Sequence, residues 1–161
     1  MSGEMMKVMH QAISDVMNKM FFLPVQVNAK EFSMREWFST ELRLFGATVS
    51  LTGGTLKGSS YLLIPAGVVK EMTANFLGVA EKEINVQQEG DTVKEALNMV
   101  TGNMLSQFDK KGLLRIGIPQ LIGESDLSAG KLDQFNKGAI FIETEHSRMA
   151  AGIVMNSADK R

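Results

Sequence analysis

Three side chains along one stretch of the chain have types and a spacing that suit chemistry on a helix surface: Asp91, Glu95 and Asn98. At about 100° per residue a helix places them on one ridge, with Gly102 one turn further along. Side chains three residues apart on a helix are neighbours, so the Glu95 carboxylate and the Asn98 carboxamide lie side by side. Lysine, glutamate or alanine would stabilise an exposed helix better than asparagine or glycine, so this ridge indicates that another molecule approaches closely. An ordinary solvent-exposed helix face is the alternative.

Three other patterns are weaker candidates for chemistry. Residues 53–60, GGTLKGSS, have the glycine spacing of a phosphate-binding loop but lack its lysine, and they fall in a predicted hairpin. Residues 143–146, ETEH, offer oxygens and an imidazole to a metal, yet the chain has only 2 histidines. Asp15 and Asn18 repeat the acid and amide three residues apart. We interpret these patterns as a hairpin, a solvated strand end and a plain polar helix face.

The composition favours a single domain over residues 1–161, long enough for its own core. Its hydrophobic fraction of 44% is too high for a disordered chain. The formal net charge of −1 provides no basic field for nucleic acid, and no apolar run reaches membrane length. The absence of cysteine excludes disulfides and thiolate chemistry. We expect a cytoplasmic protein that neither binds nucleic acid nor inserts into a membrane.

Periodicity and turn residues predict the elements that precede the ridge. A helix is predicted over residues 4–20, where apolar residues recur at spacings of three and four: Met5, Met9, Ile13, Val16 and Met20. Gly53 and Gly54 separate two β-rich runs and predict a hairpin with both glycines in its turn. Pro65 opens a further helix that Gly78 ends.

The helix that carries the ridge is predicted to be capped or opened by Asp91. It should run to about Lys110 and stop at Gly112. Its core face, on the side opposite the ridge, consists of four apolar residues: Val93, Leu97, Val100 and Met104.

The remaining segments complete the predicted fold. Residues 28–37 are polar enough for a loop, with a poorly ordered entry into a strand as the alternative. Residues 113–119 form a short strand ended by Pro119, and residues 120–138 are mostly loop, with a start as strand left open. Two β-rich runs flank His146-Ser147 and predict a second hairpin. Successive hairpins argue against a doubly wound parallel sheet. The sequence therefore predicts an α+β domain with an antiparallel sheet of two hairpins plus a further strand, covered by long helices.

The spacing Asp91-x-x-x-Glu95-x-x-Asn98, followed by a helix end, a short strand and Pro119, resembles the signature of the CheC/CheX/FliY chemotaxis phosphatases. The stretches NMVTGN and RIGIPQLIGES, the second around the proline, are similar to the CheX branch in particular. The 20 residues between Asn98 and Pro119 are slightly fewer than in the family pattern. The element order resembles this family over most of the chain, whereas the motif itself covers residues 91–123.

This resemblance implies an activity, a partner and roles for the site residues. The substrate would be the aspartyl phosphate of a CheY-type response regulator, with Glu95 paired to the regulator's lysine and Asn98 orienting the attacking water. Asp91, Gly102 and Pro119 would take part in partner binding. The resemblance further implies no cofactor of its own, Mg²⁺ on the phosphorylated partner and, because a single copy of the motif is typical of the CheX branch, a homodimer. A non-catalytic module of the same fold, binding a regulator or serving a structural role, is the alternative.

Overall fold

The computed structural model describes residues 3–157 of the chain. Its helices are Gly3–Phe21 (α1), Met34–Trp37 (α2), Ala66–Leu77 (α3) and Val86–Phe108 (α4). Its strands are Gln26–Asn28 (β1), Leu44–Gly53 (β2), Leu56–Pro65 (β3), Arg115–Ile116 (β4), Gln120–Leu121 (β5), Ala139–Glu143 (β6) and Arg148–Ser157 (β7). Short 3-10 helices cover Glu81–Glu83, Glu124–Leu127 and Ala129–Phe135.

The strands form one antiparallel sheet in the order β1-β6-β7-β3-β2-β4, and β5 also pairs with β2. The α+β class with an antiparallel sheet covered by helices is therefore confirmed. The sheet has more strands than the two hairpins and β4, since β1 and β5 add to them; of these, β5 agrees with the strand start left open for residues 120–138. Residues 28–37, predicted as a loop, contain the short helix α2, which a reciprocal capping box between Ser33 and Glu36 starts.

The first hairpin is confirmed, but its turn lies one residue later than predicted. Gly53 pairs with Leu56, so Gly54 and Thr55 form the turn. Gly54 has a φ of 57°, which glycine adopts without strain. Position 53, in the strand, needs glycine for a different reason, because a Cβ atom there would overlap the backbone oxygen of Leu113.

The second hairpin and the helix between Pro65 and Gly78 are also confirmed. Glu143 pairs with Arg148, which leaves residues 144–147 as the turn. Pro65 stands immediately before α3, and Gly78 ends that helix in the left-handed conformation, with a φ of 69°. The predicted helix boundaries hold here because both signals are local to the chain.

Helices α1, α3 and α4 cover one face of the sheet and enclose the main core. The predicted apolar face of α1 is buried except for Met20, which is 42% exposed. The last turn of α1 buries Met17 and Phe21 instead. Both continue the row of buried residues at spacings of four, and the Phe21 ring packs 5.2 Å from the ring of Phe76 in α3.

A second core lies on the opposite face of the sheet, around Trp37. The Trp37 indole N–H donates a hydrogen bond to the Met149 carbonyl oxygen at 2.7 Å. The segment 124–135, within the predicted loop, covers this face with Leu127 and Leu132, both buried. Tyr61 is buried here as well, and burial raises the pKa of its hydroxyl.

Candidate functional site

Helix α4, which carries the predicted ridge, begins at Val86, so the prediction that Asp91 caps or opens it is wrong. The side-chain oxygen of Asn85 accepts a hydrogen bond from the Gln88 backbone N–H at 2.8 Å. The Gln88 side chain accepts one from the Asn85 N–H at 2.9 Å, which completes a capping box. Asp91 therefore lies in the second turn, where its side chain faces solvent.

The predicted core face of α4 is confirmed. Four residues are each at most 1% exposed and belong to the main core: Val93, Leu97, Val100 and Met104. Burial of this face against α1 and the sheet fixes the rotation of the helix about its axis. Asp91, Glu95 and Asn98 must consequently point outward, and all three are exposed.

The polar side chains of the ridge differ in their partners. Asp91 forms an ion pair with Lys94, with 3.5 Å between the Asp91 Oδ1 and the Lys94 Nζ atoms. Among residues 3–157, nothing forms a hydrogen bond or an ion pair with the Glu95 carboxylate or the Asn98 carboxamide. A carboxylate and a carboxamide held on a long helix without internal partners are available to a second molecule.

A bulge at the edge of the sheet places Pro119 beside the ridge. In β4, Ile116 pairs with Leu51 of β2. In β5, Gln120 pairs with Thr48. Between these two pairs, residues 117–119 of one strand lie opposite only residues 49 and 50 of β2. The extra residue makes a β-bulge, and proline suits a bulge because it has no N–H to donate to the ladder.

Hydrogen bonds on both sides of the bulge hold it against β2. The Gly117 N–H donates to the Ser50 carbonyl oxygen at 2.8 Å. On the other side, the Ile122 N–H donates to the Gly46 carbonyl oxygen, also at 2.8 Å. The bulge is therefore a fixed part of the sheet edge.

Asp109, directly after α4, connects the helix to the segment that leads to the bulge. Its carboxylate accepts hydrogen bonds from the backbone N–H groups of Leu113, at 3.0 Å, and Leu114, at 2.7 Å. This turn sets how the chain returns from the helix to β4. The position of Pro119 relative to Asn98 is thus determined by side-chain capping as well as by strand pairing.

A groove of about 330 Å³ lies between the ridge and the bulge, and we call it the ridge groove. It is lined by Asp91, Lys94, Glu95, Asn98, Ile118 and Pro119. The structure thus brings Asp91, Glu95, Asn98 and Pro119 together around one groove. Two further lining residues, Lys94 and Ile118, were missed from the sequence. The signal for Lys94 was its spacing of three from Asp91, whereas the position of Ile118 depends on the bulge.

Gly102 lies outside the ridge groove, although it was predicted as part of the site. It is half-buried one turn beyond Asn98, on the side of α4 that faces β4. A Cβ atom built on Gly102 would lie 4.0 Å from the Cδ1 atom of Ile116, an ordinary contact distance. The fold itself therefore has room for a side chain here.

The weaker patterns have ordinary structural environments. Residues 53–60 form the turn and strand of the first hairpin. The Glu143 carboxylate accepts a hydrogen bond from the Asn28 side chain at 3.0 Å, and that of Asp15 accepts one from Gln11 at 3.0 Å. Across residues 3–157 no three histidine, cysteine, aspartate or glutamate side chains are grouped so that they could hold a metal ion. Within that same range, no helix has the length and apolar character needed to cross a membrane.

Comparison with protein families gives one match. The family described as "Chemotaxis phosphatase CheX" matches residues 45–143 of this chain, which contain β3, α3, α4 and the bulge. None of the curated proteins compared with the chain matches it.

Several solved structures have a similar fold. The chemotaxis protein CheX from Vibrio vulnificus is 16% identical, with a TM-score of 0.71 over 96% of this chain and 97% of that one. A CheC-like superfamily protein from Shewanella sp. PV-4 is 16% identical, with a TM-score of 0.70 over 98% and 100% of the two chains. The CheX–CheY–BeF3–Mg²⁺ complex from Borrelia burgdorferi contains a chain that is 15% identical, with a TM-score of 0.65 over 94% and 97%. At these identities the likeness is one of fold.

Proposed function

This chain belongs to the CheX family of chemotaxis phosphatases, and from that premise we propose that it hydrolyses the aspartyl phosphate of a CheY-type response regulator. The observation that carries the proposal is the exposed pair Glu95 and Asn98, neighbours on α4 without partners among residues 3–157. The similar CheX from Borrelia burgdorferi occurs in a complex with CheY, BeF3 and Mg²⁺, which supports the choice of partner.

The chemistry asks little of the phosphatase beyond positioning. The oxygen of a water molecule attacks phosphorus, the bond from phosphorus to the aspartyl oxygen breaks, the aspartate leaves as a carboxylate, and the protons of the water leave with the inorganic phosphate. In our proposal the regulator supplies the leaving group and the Mg²⁺ ion, so this chain needs no cofactor of its own. Holding the water in line with the leaving oxygen then supplies most of the acceleration.

Asn98 suits the role of orienting that water. A carboxamide both donates and accepts hydrogen bonds, so it can hold one water molecule in a single orientation. A carboxylate in its place would repel the phosphoryl group, which carries negative charge. Asn98 lies on the exposed side of a helix whose opposite side is anchored by the buried Leu97, which supports its proposed entry into a partner's active site.

Glu95 suits the role of pairing with the regulator's active-site lysine. Asp91 and Lys94 neutralise one another at 3.5 Å, so Glu95 is the charge of the ridge groove that has no partner within it. A single carboxylate at this place favours a cation and sets the register in which α4 meets the regulator. Family resemblance also leads us to propose that the chain acts as a cytoplasmic homodimer.

Glu95→Lys is expected to weaken binding of the regulator, because the proposed ion pair becomes a contact between like charges. We expect KM for the phosphorylated regulator to rise at least tenfold, about 1.4 kcal/mol of binding free energy. Glu83→Lys, an exposed glutamate outside the ridge groove, is the matched control and should leave KM unchanged. Equal KM values for the two variants would contradict the role of Glu95.

Gly102→Ala separates the stability of the fold from docking of the partner. Since the fold has room for the methyl group, replacing a helical glycine should raise the free energy of unfolding by up to about 1 kcal/mol in urea titrations. If the regulator approaches α4 at Gly102, the same variant should bind it more weakly. An unchanged Kd for the regulator would remove Gly102 from the docking surface.

Phosphate release during turnover tests the proposed function. The regulator is incubated with acetyl phosphate as donor, and inorganic phosphate is followed with increasing amounts of this chain. We expect the rate to rise with the added chain until phosphorylation of the regulator becomes limiting, and to remain at background when the regulator is left out. A rate that does not depend on the chain, for regulators that bind it, would favour the non-catalytic module.

A further inference from the structure

The ridge of α4 is bordered by two grooves. The ridge groove contains Ile118 and Pro119 on one side, and a second groove of about 370 Å³ lies on the other side, between α3 and α4. This second groove, which we call the α3–α4 groove, is lined by Phe76, Leu77, Gln88, Asp91, Thr92 and Glu95. Asp91 and Glu95 line both grooves, so a molecule that contacts Glu95 meets apolar surface on each side of it.

The apolar residues of the two grooves are conspicuously exposed. Ile118 is 84% exposed on the bulge, and Leu77 is 44% exposed at the end of α3. Single exposed apolar residues are common on soluble proteins. At the bulge, however, regular strand pairing is interrupted, and Ile118 faces solvent beside Asn98. That position is explained if Ile118 is covered when a partner binds.

Apolar anchors are needed because the polar ridge alone would bind weakly. A single ion pair at an exposed position contributes only about 0–1 kcal/mol, so pairing of Glu95 with a lysine would not by itself hold a partner tightly, although reversing the charge would still oppose binding. Affinity in protein interfaces is concentrated in a few side chains that lose their contact with water, and apolar area buried beside polar contacts adds to it. Ile118 and Leu77 are placed in this way on opposite sides of Glu95.

We propose that Ile118 in the ridge groove, and Leu77 with Phe76 in the α3–α4 groove, form an apolar rim. This rim contacts the response regulator on both sides of its phosphorylated site. The inference rests on the proposed function for the identity of the occupant. The regulator is the occupant because the two grooves share Asp91 and Glu95, so a body whose lysine pairs with Glu95 covers both. The rim requires the regulator to present apolar side chains on both sides of its active site.

Two substitutions at exposed positions test the rim without disturbing the core: Ile118→Gln and Leu77→Gln. The matched controls are Leu113→Gln, in the same segment as Ile118, and Leu42→Gln, both fully or largely exposed and outside the two grooves. Binding of the regulator loaded with beryllofluoride, a phosphoryl analogue, is measured by calorimetry, and dephosphorylation is measured over a range of regulator concentrations. Each rim variant should raise Kd and KM roughly tenfold with kcat unchanged, while the controls match the original chain.

The possible outcomes separate a failure of the apolar rim from a failure of the proposed phosphatase activity. A rim variant that binds the loaded regulator as tightly as the original chain overturns the rim, even if dephosphorylation is fully retained. If the original chain binds the regulator but does not dephosphorylate it, the proposed activity fails while the Kd values still decide the rim. If light scattering shows that the rim variants lose self-association and keep the Kd for the regulator, a second copy of this chain is the occupant and the proposal is wrong. No binding by the original chain contradicts both.

Discussion

Replacing Asn98 by alanine is expected to remove most of the dephosphorylation of the regulator and to leave the protein folded. The carboxamide is exposed and has no partner among residues 3–157, so its loss should change the free energy of unfolding by less than about 0.5 kcal/mol. Loss of one group that positions the reacting atoms typically lowers kcat by on the order of 10²-fold. KM should change little, because Glu95 and the surrounding surface remain.

Asn18→Ala provides the matched control for Asn98→Ala. Asn18 is an exposed asparagine on α1, three residues after Asp15, and so repeats the local pattern at a position that does not line the ridge groove. The kinetic constants of Asn18→Ala should equal those of the original chain. An Asn98→Ala variant with undiminished kcat would show that another group orients the water.

Replacing the adjacent residue, Leu97, by alanine should give the opposite pattern. Leu97 is fully buried in the main core beneath the ridge, and leucine-to-alanine changes in cores cost about 2–5 kcal/mol. That is a large part of the stability of a typical domain, so the urea midpoint should fall markedly. Molecules that remain folded should keep kcat, because the outward face of α4 is unchanged.

Leu113→Ala is the control for the stability effect, since Leu113 is 64% exposed and surface changes usually alter stability by less than about 0.5 kcal/mol. A Leu97→Ala protein as stable as Leu113→Ala would contradict the packing of α4 described here. A stable Leu97→Ala protein with lower kcat would instead indicate that the ridge had rotated.

The half of the site on α4 was predictable from the sequence, because the apolar period from Val93 to Met104 specifies which side of the helix faces the core. The same reasoning placed the start of the helix too late. Asn85 and Gln88 form a capping box that is also local in sequence, but no apolar period in the first turn connects this cap with the periodic part of the helix. Glu89 is buried there, and its Oε2 atom lies 3.8 Å from the Nζ atom of Lys70. This ion pair depends on the tertiary contact between α3 and α4.

The half of the site on the bulge was not predictable in the same way. The stretch from 113 to 121 looks like one short strand and a loop, whereas its register is set by pairing with β2, more than sixty residues earlier in the chain. No local pattern specifies that an extra residue is accommodated there, so the exposure of Ile118 could not be foreseen. The resemblance to the CheX branch was confirmed by the family match over residues 45–143, while the roles of Glu95 and Asn98 remain predictions.

The most direct measurement is the decay of a purified, phosphorylated CheY-type regulator from the same organism, with and without this chain. Decay is followed at chain concentrations that span the measured Kd for the regulator loaded with beryllofluoride. We predict that the decay rate rises with concentration and saturates as the regulator becomes bound. Decay at the spontaneous rate when the regulator is saturated would contradict the assignment of this protein as a phosphatase of that regulator.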